Sequence, residues 1–443
     1  MSNGASTALE SAIGELWRLQ APGPDNLFAS PAFVRLRDAC QADYANAALG
    51  QGPTFALGNA LRSLGLPCGL ESSDVSRALP AHEAIRRLDD AFRRREGRRL
   101  HLCPLDLADD LPPIMFGPAQ IRHFNTNELL NLVDAPRLRR VFPGMAFEAE
   151  RFSQFHWLVV EERVAFDAEP EARALPVLFM NIREDIGHIE PHKGRFPKAV
   201  EDALFFALLA PWEEWSAMPQ VDWRGFRIPW VYTLDDDLFV RPQAPPSPDS
   251  LSWEPYIIDV DNDETIEIER PVCLRLEDAA IPALKLYNDA AWSAASSARL
   301  SPLFETPIAH FFVRAFLTEE MDEVLAHITT IEAALGLRAD YGGPGRSKPD
   351  RHKGVGATKR LAARVAALLG GSTFAKQYED LFNVRSAFLH GRAMGTISTN
   401  ERVLARKLAR QVVCALVQAA SEGVVAARDT YLETLLDQGR GLI

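Results

Sequence analysis

Two side chains with complementary chemistry lie five residues apart in Phe374–Gly391, FAKQYEDLFNVRSAFLHG. Arg385 carries a permanent, forked positive charge, and His390 is of the one side-chain type that ordinarily exchanges protons near neutrality. Advancing roughly 100° per residue along a helix, Phe374, Tyr378, Leu381, Phe382, Phe388 and Leu389 fall on one apolar stripe. Arg385 falls in its middle and His390 at its edge, with Gly391 placed to end the helix. A guanidinium on an apolar face must be paired or must line a cavity, because burying it alone costs several kcal/mol. A cation beside a proton carrier can handle a phosphate. The same pattern also fits an arginine paired in the core with a carboxylate such as Glu332, and a histidine that only caps the helix.

The string Arg385-Ser386-Ala387-Phe388-Leu389-His390-Gly391 resembles the R-x4-H motif of HEPN domains, in the RSxxxHG form of the Apea-like HEPN group. Upstream, Ile328–Leu335 (ITTIEAAL) is similar to that group's Ala- and Leu-rich helix with a central glutamate, here Glu332. Leu361–Leu369 (LAARVAALL) resembles its intermediate helix, and Asn400–Ala420 its long final helix. The resemblance covers roughly residues 300–430. Two positions depart from it. Many active members have Asn, Asp or His where this chain has Ser386. One toxin–antitoxin subgroup has a modifiable Tyr where this chain has Arg392, so that subgroup's mode of control is not expected.

The resemblance implies a metal-independent endoribonuclease without a cofactor, in which the ribose 2′-OH attacks the adjacent phosphate. Such chemistry needs a proton acceptor and a fixed cation for the developing phosphorane charge; His390 and Arg385 fit those roles. Glu332 would orient or neutralise Arg385, and Ser386 and Arg392 would touch the substrate. Residues five apart on one helix are about 140° around and 7.5 Å along it, so one motif does not surround a phosphate. A homodimer through the HEPN domain, with a composite cleft, is expected. The implied role is an effector of a prokaryotic defence or abortive-infection type, acting on RNA such as tRNA or phage and host transcripts. A phage-derived or cellular trigger would act on the N-terminal region. The alternative is a non-catalytic HEPN dimerisation or RNA-binding module attached to an N-terminal sensor.

Other constellations are weaker. Asp259, Asp261 and Asp263 have calcium-loop spacing, but Glu264 and Arg270 stand where such a loop needs Gly and Glu. Asp235-Asp236-Asp237 fits a solvated turn better than a Mg²⁺ site. Pro191 between His188 and His192 prevents the helical spacing of zincins. Gly342–Gly345 and Gly354–Gly356 lack the GK[ST] of a phosphate loop, and no GxSxG elbow is present. No metal site is therefore expected.

These residues need elements to position them. Ala8–Gln20, Pro31–Ala48 (N-capped by Ser30) and Ala81–Arg95 have helical periodicity and predict a helical segment over residues 1–95. An α+β domain of sensor or regulatory type is expected over 96–290. Its strands are expected at Leu100–Leu105, Pro113–Phe116, Phe155–Glu161, Pro176–Met180 and Phe226–Tyr232, with a capped helix at Asn127–Val133 and an apolar one at Lys198–Trp215. Arg241–Ser250, with four prolines, reads as a linker, and Tyr256–Val260 with Thr265–Glu269 as a hairpin. Beyond it Ala279–Ser297, Pro307–Leu317, Thr318–Leu337, Ala357–Leu369, Thr373–His390 and Asn400–Leu436 all read as helix. The fold class is thus an α+β N-terminal region followed by an all-α HEPN-like helical bundle over 291–443.

Composition bounds the rest. Hydrophobic residues at 47% and charged residues at 24% fit a chain that buries a core, which excludes disordered and collagen-like classes. No apolar run reaches the roughly 18 residues of a membrane span, no secretion signal is visible, and the five cysteines form no CxxC pair, so a cytoplasmic protein without membrane contact is expected. Residues 300–443 hold 18 Lys and Arg against 15 Asp and Glu, a balance of +3, whereas residues 1–299 stand at −15. The basic excess centres on Arg338–Arg364. Arg346, Lys348, Arg351, Lys353, Lys359 and Arg360 there, with Arg392, are candidate RNA-backbone contacts.

Overall fold

The computed structural model describes residues 5–443 apart from 22, 25, 46–53, 167–168, 176–187, 191, 261–263, 342–350, 392–394 and 424. The strand expected at Pro176–Met180 lies outside the described residues, as does the turn at Asp261–Asp263. The chain forms two compact units, each discontinuous in sequence: residues 1–104, 123–190 and 229–253 make the first, and 105–122, 191–228 and 254–443 the second.

In the first unit, helices Thr7–Trp17, Pro31–Asp43, Thr54–Leu64 and Ala81–Arg93 bury one apolar face each. Their shared core includes Leu9, Ile13, Phe33, Leu36, Leu57, Leu61, Leu88 and Phe92. Ser30 caps the second helix as expected, its hydroxyl accepting from Phe33 N at 3.3 Å. A sheet follows in which Glu96–Leu105 lies between His156–Ala165 and Tyr232–Asp235. Glu96–Leu105 pairs antiparallel with Tyr232–Asp235, in the register Arg99↔Asp235 to Leu102↔Tyr232. Leu100, Leu102, Trp157 and Val159 pack with Leu129, Phe152 and Tyr232 into a second core. The expected capped helix is Thr126–Leu132, closed by a capping box between Asn125 and Glu128.

Two expectations in this unit need correction. The strand expected over Phe226–Tyr232 begins only at Tyr232, because Pro229 has no N–H for a ladder. The proline-rich Arg241–Ser250 segment is no free linker. Tyr232 Oη donates to Gln243 O at 3.0 Å, Trp230 Nε1 to Ser250 Oγ at 2.8 Å and Trp253 Nε1 to Pro248 O at 2.9 Å, and Pro242, Pro245 and Pro248 are buried.

The second unit holds the hairpin strands Ile114–Phe116 and Ala119–His123, the two-stranded Trp253–Val260 with Glu264–Pro271, and a helical C-terminal region. Three helices expected as continuous are broken. Pro211 divides Lys198–Trp215 into Lys198–Ala207 and Trp212–Trp215. Asn288 accepts from Ala290 N and Ala291 N and starts a new helix at Asp289–Arg299 after Ala280–Leu284. Gly423 ends Thr399–Glu422 before Arg428–Arg440. Ile308–Leu317, Glu320–Leu335, Ala357–Leu369 and Ser372–Leu389 form close to where periodicity places them, and pack with the last two helices into one bundle. Among the described residues, no helix is long and apolar enough to cross a membrane.

Arginines close this bundle from inside. The final carbonyls of a helix have no partner within it. At the end of Glu320–Leu335, Arg428 Nη2 donates to the carbonyls of Ala333 (2.8 Å), Ala334 (3.1 Å) and Gly336 (3.0 Å), and Arg364 Nη1 to that of Leu335 (2.9 Å). Arg364 is held in turn by both Asp340 oxygens, at 2.5 and 3.0 Å, with each side chain 1% exposed. Removing one member of a pair so buried leaves an uncompensated charge. Asp340→Ala is therefore expected to cost about 3–5 kcal/mol of unfolding free energy, measured by urea denaturation. A loss below about 1 kcal/mol, the size of an exposed pair, would contradict this anchoring role.

Candidate functional site

Glu332 lies in the last turn of the helix that Arg364 and Arg428 close, so its backbone is fixed from below. Its side chain points at the Ser372–Leu389 helix, where Arg385 Nη2 stands 3.4 Å from Glu332 Oε2. The pair is graded in depth: the Glu332 side chain is 14% exposed and that of Arg385 29%. Burial pushes the Glu332 carboxyl above its ordinary pKa, and the guanidinium beside it pulls it partly back. Arg385 also lies over the Phe382 ring, 5.8 Å from its centroid. The arginine inside the apolar stripe thus has its carboxylate partner, and still presents part of its fork to solvent.

The stripe itself changes character along the helix. Ala375, Tyr378 and Leu381 are buried, whereas Phe388 and Leu389 are 42% and 52% exposed. The helix outruns its cover in its final turn. His390 ends it, donating its backbone N–H to Ser386 O at 3.1 Å, and its side chain is exposed. Gly391 follows at φ +62°, a left-handed conformation that suits a residue without Cβ. Among the described residues the imidazole has no hydrogen-bond partner, and Ser386 is half-buried on the same turn. The two motif residues therefore stand at one end of one helix, a braced cation and an unengaged imidazole.

The expected RNA contacts divide. Lys353 is exposed, and Arg351 is 83% exposed, with Asp437 at 3.6 Å. Lys359 is exposed and paired with Glu379 at 2.7 Å. Arg360 is a correction: it is buried, donating Nε to Val355 O at 2.9 Å and Nη2 to His352 O at 2.8 Å, so its guanidinium holds the loop and is withdrawn from any strand outside. Arg346, Lys348 and Arg392 lie outside the described residues, as does Gly342–Gly345.

Sequence reasoning missed two tyrosines that feel the charges of the pair, the buried Tyr378 and the exposed Tyr341. Tyr378 is buried, and both its hydroxyl and that of Tyr341 are pushed to higher pKa, first by burial and then by the negative charge of Glu332. It also misread Asp235-Asp236-Asp237. All three acids are committed to arginines: Asp235 to Arg99 at 3.0 Å, Asp236 to Arg94 at 2.6 Å and Asp237 to Arg173 at 2.6 Å. No family of known proteins, no curated protein and no solved structure matches this chain.

The raised pKa of Glu332 has a signed consequence. Such a carboxyl favours the folded state while protonated; the contribution is present below the unfolded-state value and is lost as pH climbs through the folded-state one. Glu332→Gln does not titrate. In urea denaturation at mildly acidic and mildly alkaline pH, the variant is expected to gain stability relative to wild type as pH rises. A difference that stays flat, or moves the other way, would contradict a desolvated Glu332.

Proposed function

We propose that this protein is a metal-independent endoribonuclease acting through Arg385 and His390, in a C-terminal bundle of the HEPN type. The observation that carries the reading is the Arg385–Glu332 pair at 3.4 Å with an unengaged His390 at the end of the same helix. Cleavage begins when the 2′-OH oxygen attacks the adjacent phosphorus. His390 takes the hydroxyl proton, the bond to the 5′-oxygen breaks, and that oxygen leaves as a 5′-OH by taking a proton from water; the imidazolium returns its own proton to water, and a 2′,3′-cyclic phosphate remains. Arg385, held in direction by Glu332, stabilises the added negative charge on the phosphoryl oxygens. Ser386 and Arg392 contact the same nucleotide, while Arg351 and Lys353 attract the strand without reading its sequence.

Each chain supplies one motif, and the working cleft joins two copies across a two-fold axis. The exposed Phe388 and Leu389 beside His390 support this, since large apolar side chains bounding a polar site suit a contact between copies. The biological role is that of an RNase effector of prokaryotic defence, acting on cellular or phage RNA, with the acidic N-terminal region restraining it until a trigger binds. A second reading, a non-catalytic dimerisation or RNA-binding module, draws on the same ion pair, because a guanidinium matched by a half-buried carboxylate is sufficiently explained by structure.

The two readings separate in one experiment. Purified protein is incubated with total RNA in EDTA and the cut ends are mapped. Arg385→Ala, which leaves Glu332 without its partner, and His390→Ala, at the exposed helix end, should each lower cleavage by at least about a hundredfold, the scale of one acid–base or electrostatic contribution, with the fold retained by circular dichroism. Mixed Arg385→Ala and His390→Ala protomers should regain part of the activity. Cleavage that survives both substitutions, or none from wild type with or without metal, leaves the binding module.

A further inference from the structure

We propose that the first unit carries a separate anion site, an open surface groove of about 420 Å³ lined by Arg94, Arg95, Glu96, Gly97, Arg98, Glu161 and Arg163, that binds the phosphate groups of a small, multiply phosphorylated ligand. This inference is independent of the reading of Arg385 and His390. It starts from the run Arg93–Arg99, RRREGRR, which places five arginines in seven residues inside a region whose balance is −15. Like charges so close repel unless something compensates them, and the structure shows where compensation stops. Arg93 is paired with Asp89 at 2.8 Å, Arg99 with Asp235 at 3.0 Å and Arg94 with Asp236 at 2.6 Å. Arg98 reaches Glu161 only at 3.8 Å. Among the described residues, neither Arg95 nor Arg163 has a carboxylate within ion-pair distance.

Strand geometry gathers the uncompensated charge. Side chains two apart on a strand share a face, so Glu96 and Arg98 stand together on Glu96–Leu105, and Glu161 and Arg163 on His156–Ala165, all exposed. Arg94 and Arg95 border the groove from the end of the Ala81–Arg93 helix. Four guanidinium groups stand against Glu96, Glu161 and the Asp236 that pairs with Arg94, which leaves the site at +1. The main chain beneath is rigid. Asp236 Oδ1 accepts from Arg98 N at 2.8 Å, Asp236 N donates to Arg98 O at 3.0 Å, and Phe166 N donates to Arg95 O at 2.8 Å. A Cβ built on Gly97 would come within 2.3 Å of Phe166 Cζ, so this close approach needs glycine. The fixed backbone sets the spacing of the arginines, while their loosely engaged side chains are free to turn toward an incoming anion and become ordered on binding.

Guanidinium forks match phosphate oxygens two at a time, and the volume suits a small molecule. The lining has no aromatic side chain to stack a base. Recognition therefore runs through charge and phosphate geometry, as in a polyphosphate or the phosphate end of a nucleotide, and not through a stacked single strand.

The test is isothermal titration of the full chain with inorganic tripolyphosphate at near-physiological salt, with inorganic sulfate and a short single-stranded RNA titrated in parallel. Saturable binding of one tripolyphosphate per chain is expected. Arg95→Gln/Arg163→Gln should weaken it by at least about tenfold with an unchanged melting temperature, and Arg163→Lys, which keeps the charge, should weaken it less than Arg163→Gln. Absence of saturable binding, binding unchanged in the double variant, or RNA binding at these arginines without tripolyphosphate binding would each overturn the proposal.

Discussion

The interaction on which this structure leans most is a buried guanidinium donating to the carbonyls that a helix leaves open at its C-terminal end. Arg364 and Arg428 do this for Glu320–Leu335, Arg406 for Lys198–Ala207 through Leu208 O and Ala210 O at 2.6 and 3.2 Å, and Arg140 for Thr54–Leu64 through Ser63 O at 2.6 Å. Each case answers two demands at once. The helix end gains donors where its dipole is negative, and the arginine gains the acceptors that make its burial tolerable. Burial pulls Arg406 to lower pKa while the carboxylate of Glu213, which accepts from its Nε at 3.1 Å, holds it up.

The candidate site is a variation on that device with one partner left open. Glu332 rides on a helix end already closed by arginines, so its position is set by groups that have no part in its own ion pair. Arg385 finds that carboxylate but stays near the surface, where the remaining donors of its fork meet water. Full burial would have spent the whole guanidinium on the fold, as it does for Arg364 and Arg360. The difference is one of depth along a helix whose apolar cover ends before Phe388.

Much of this was legible in the sequence. An arginine inside the apolar stripe of Phe374–Gly391 demanded a partner, and Glu332, the acid in ITTIEAAL, is that partner. The same signal was present in LAARVAALL, where Arg364 sits among Leu, Ala and Val, but only the structure names its partner, Asp340. Helix ends were less legible, because periodicity continues across a break: Asn400–Leu436 reads as one helix, yet Gly423 divides it. The fate of acid clusters was illegible, since Asp235, Asp236 and Asp237 meet arginines up to 142 residues away in the chain. The Arg241–Ser250 segment misled for a related reason. Prolines remove backbone donors, but tryptophan N–H groups that sequence does not place supplied others.

In the proposed reaction the 2′-OH of the substrate is the nucleophile, activated by His390 and answered electrostatically by Arg385. The most direct measurement compares cleavage of an RNA oligonucleotide with the same oligomer carrying a single 2′-deoxyribose at the mapped cut position, with binding of both measured separately. Equal binding is expected, with cleavage at that position lost for the deoxy substrate and retained at other positions. Cleavage of the deoxy position at a comparable rate would contradict it, because the attacking oxygen would then come from elsewhere.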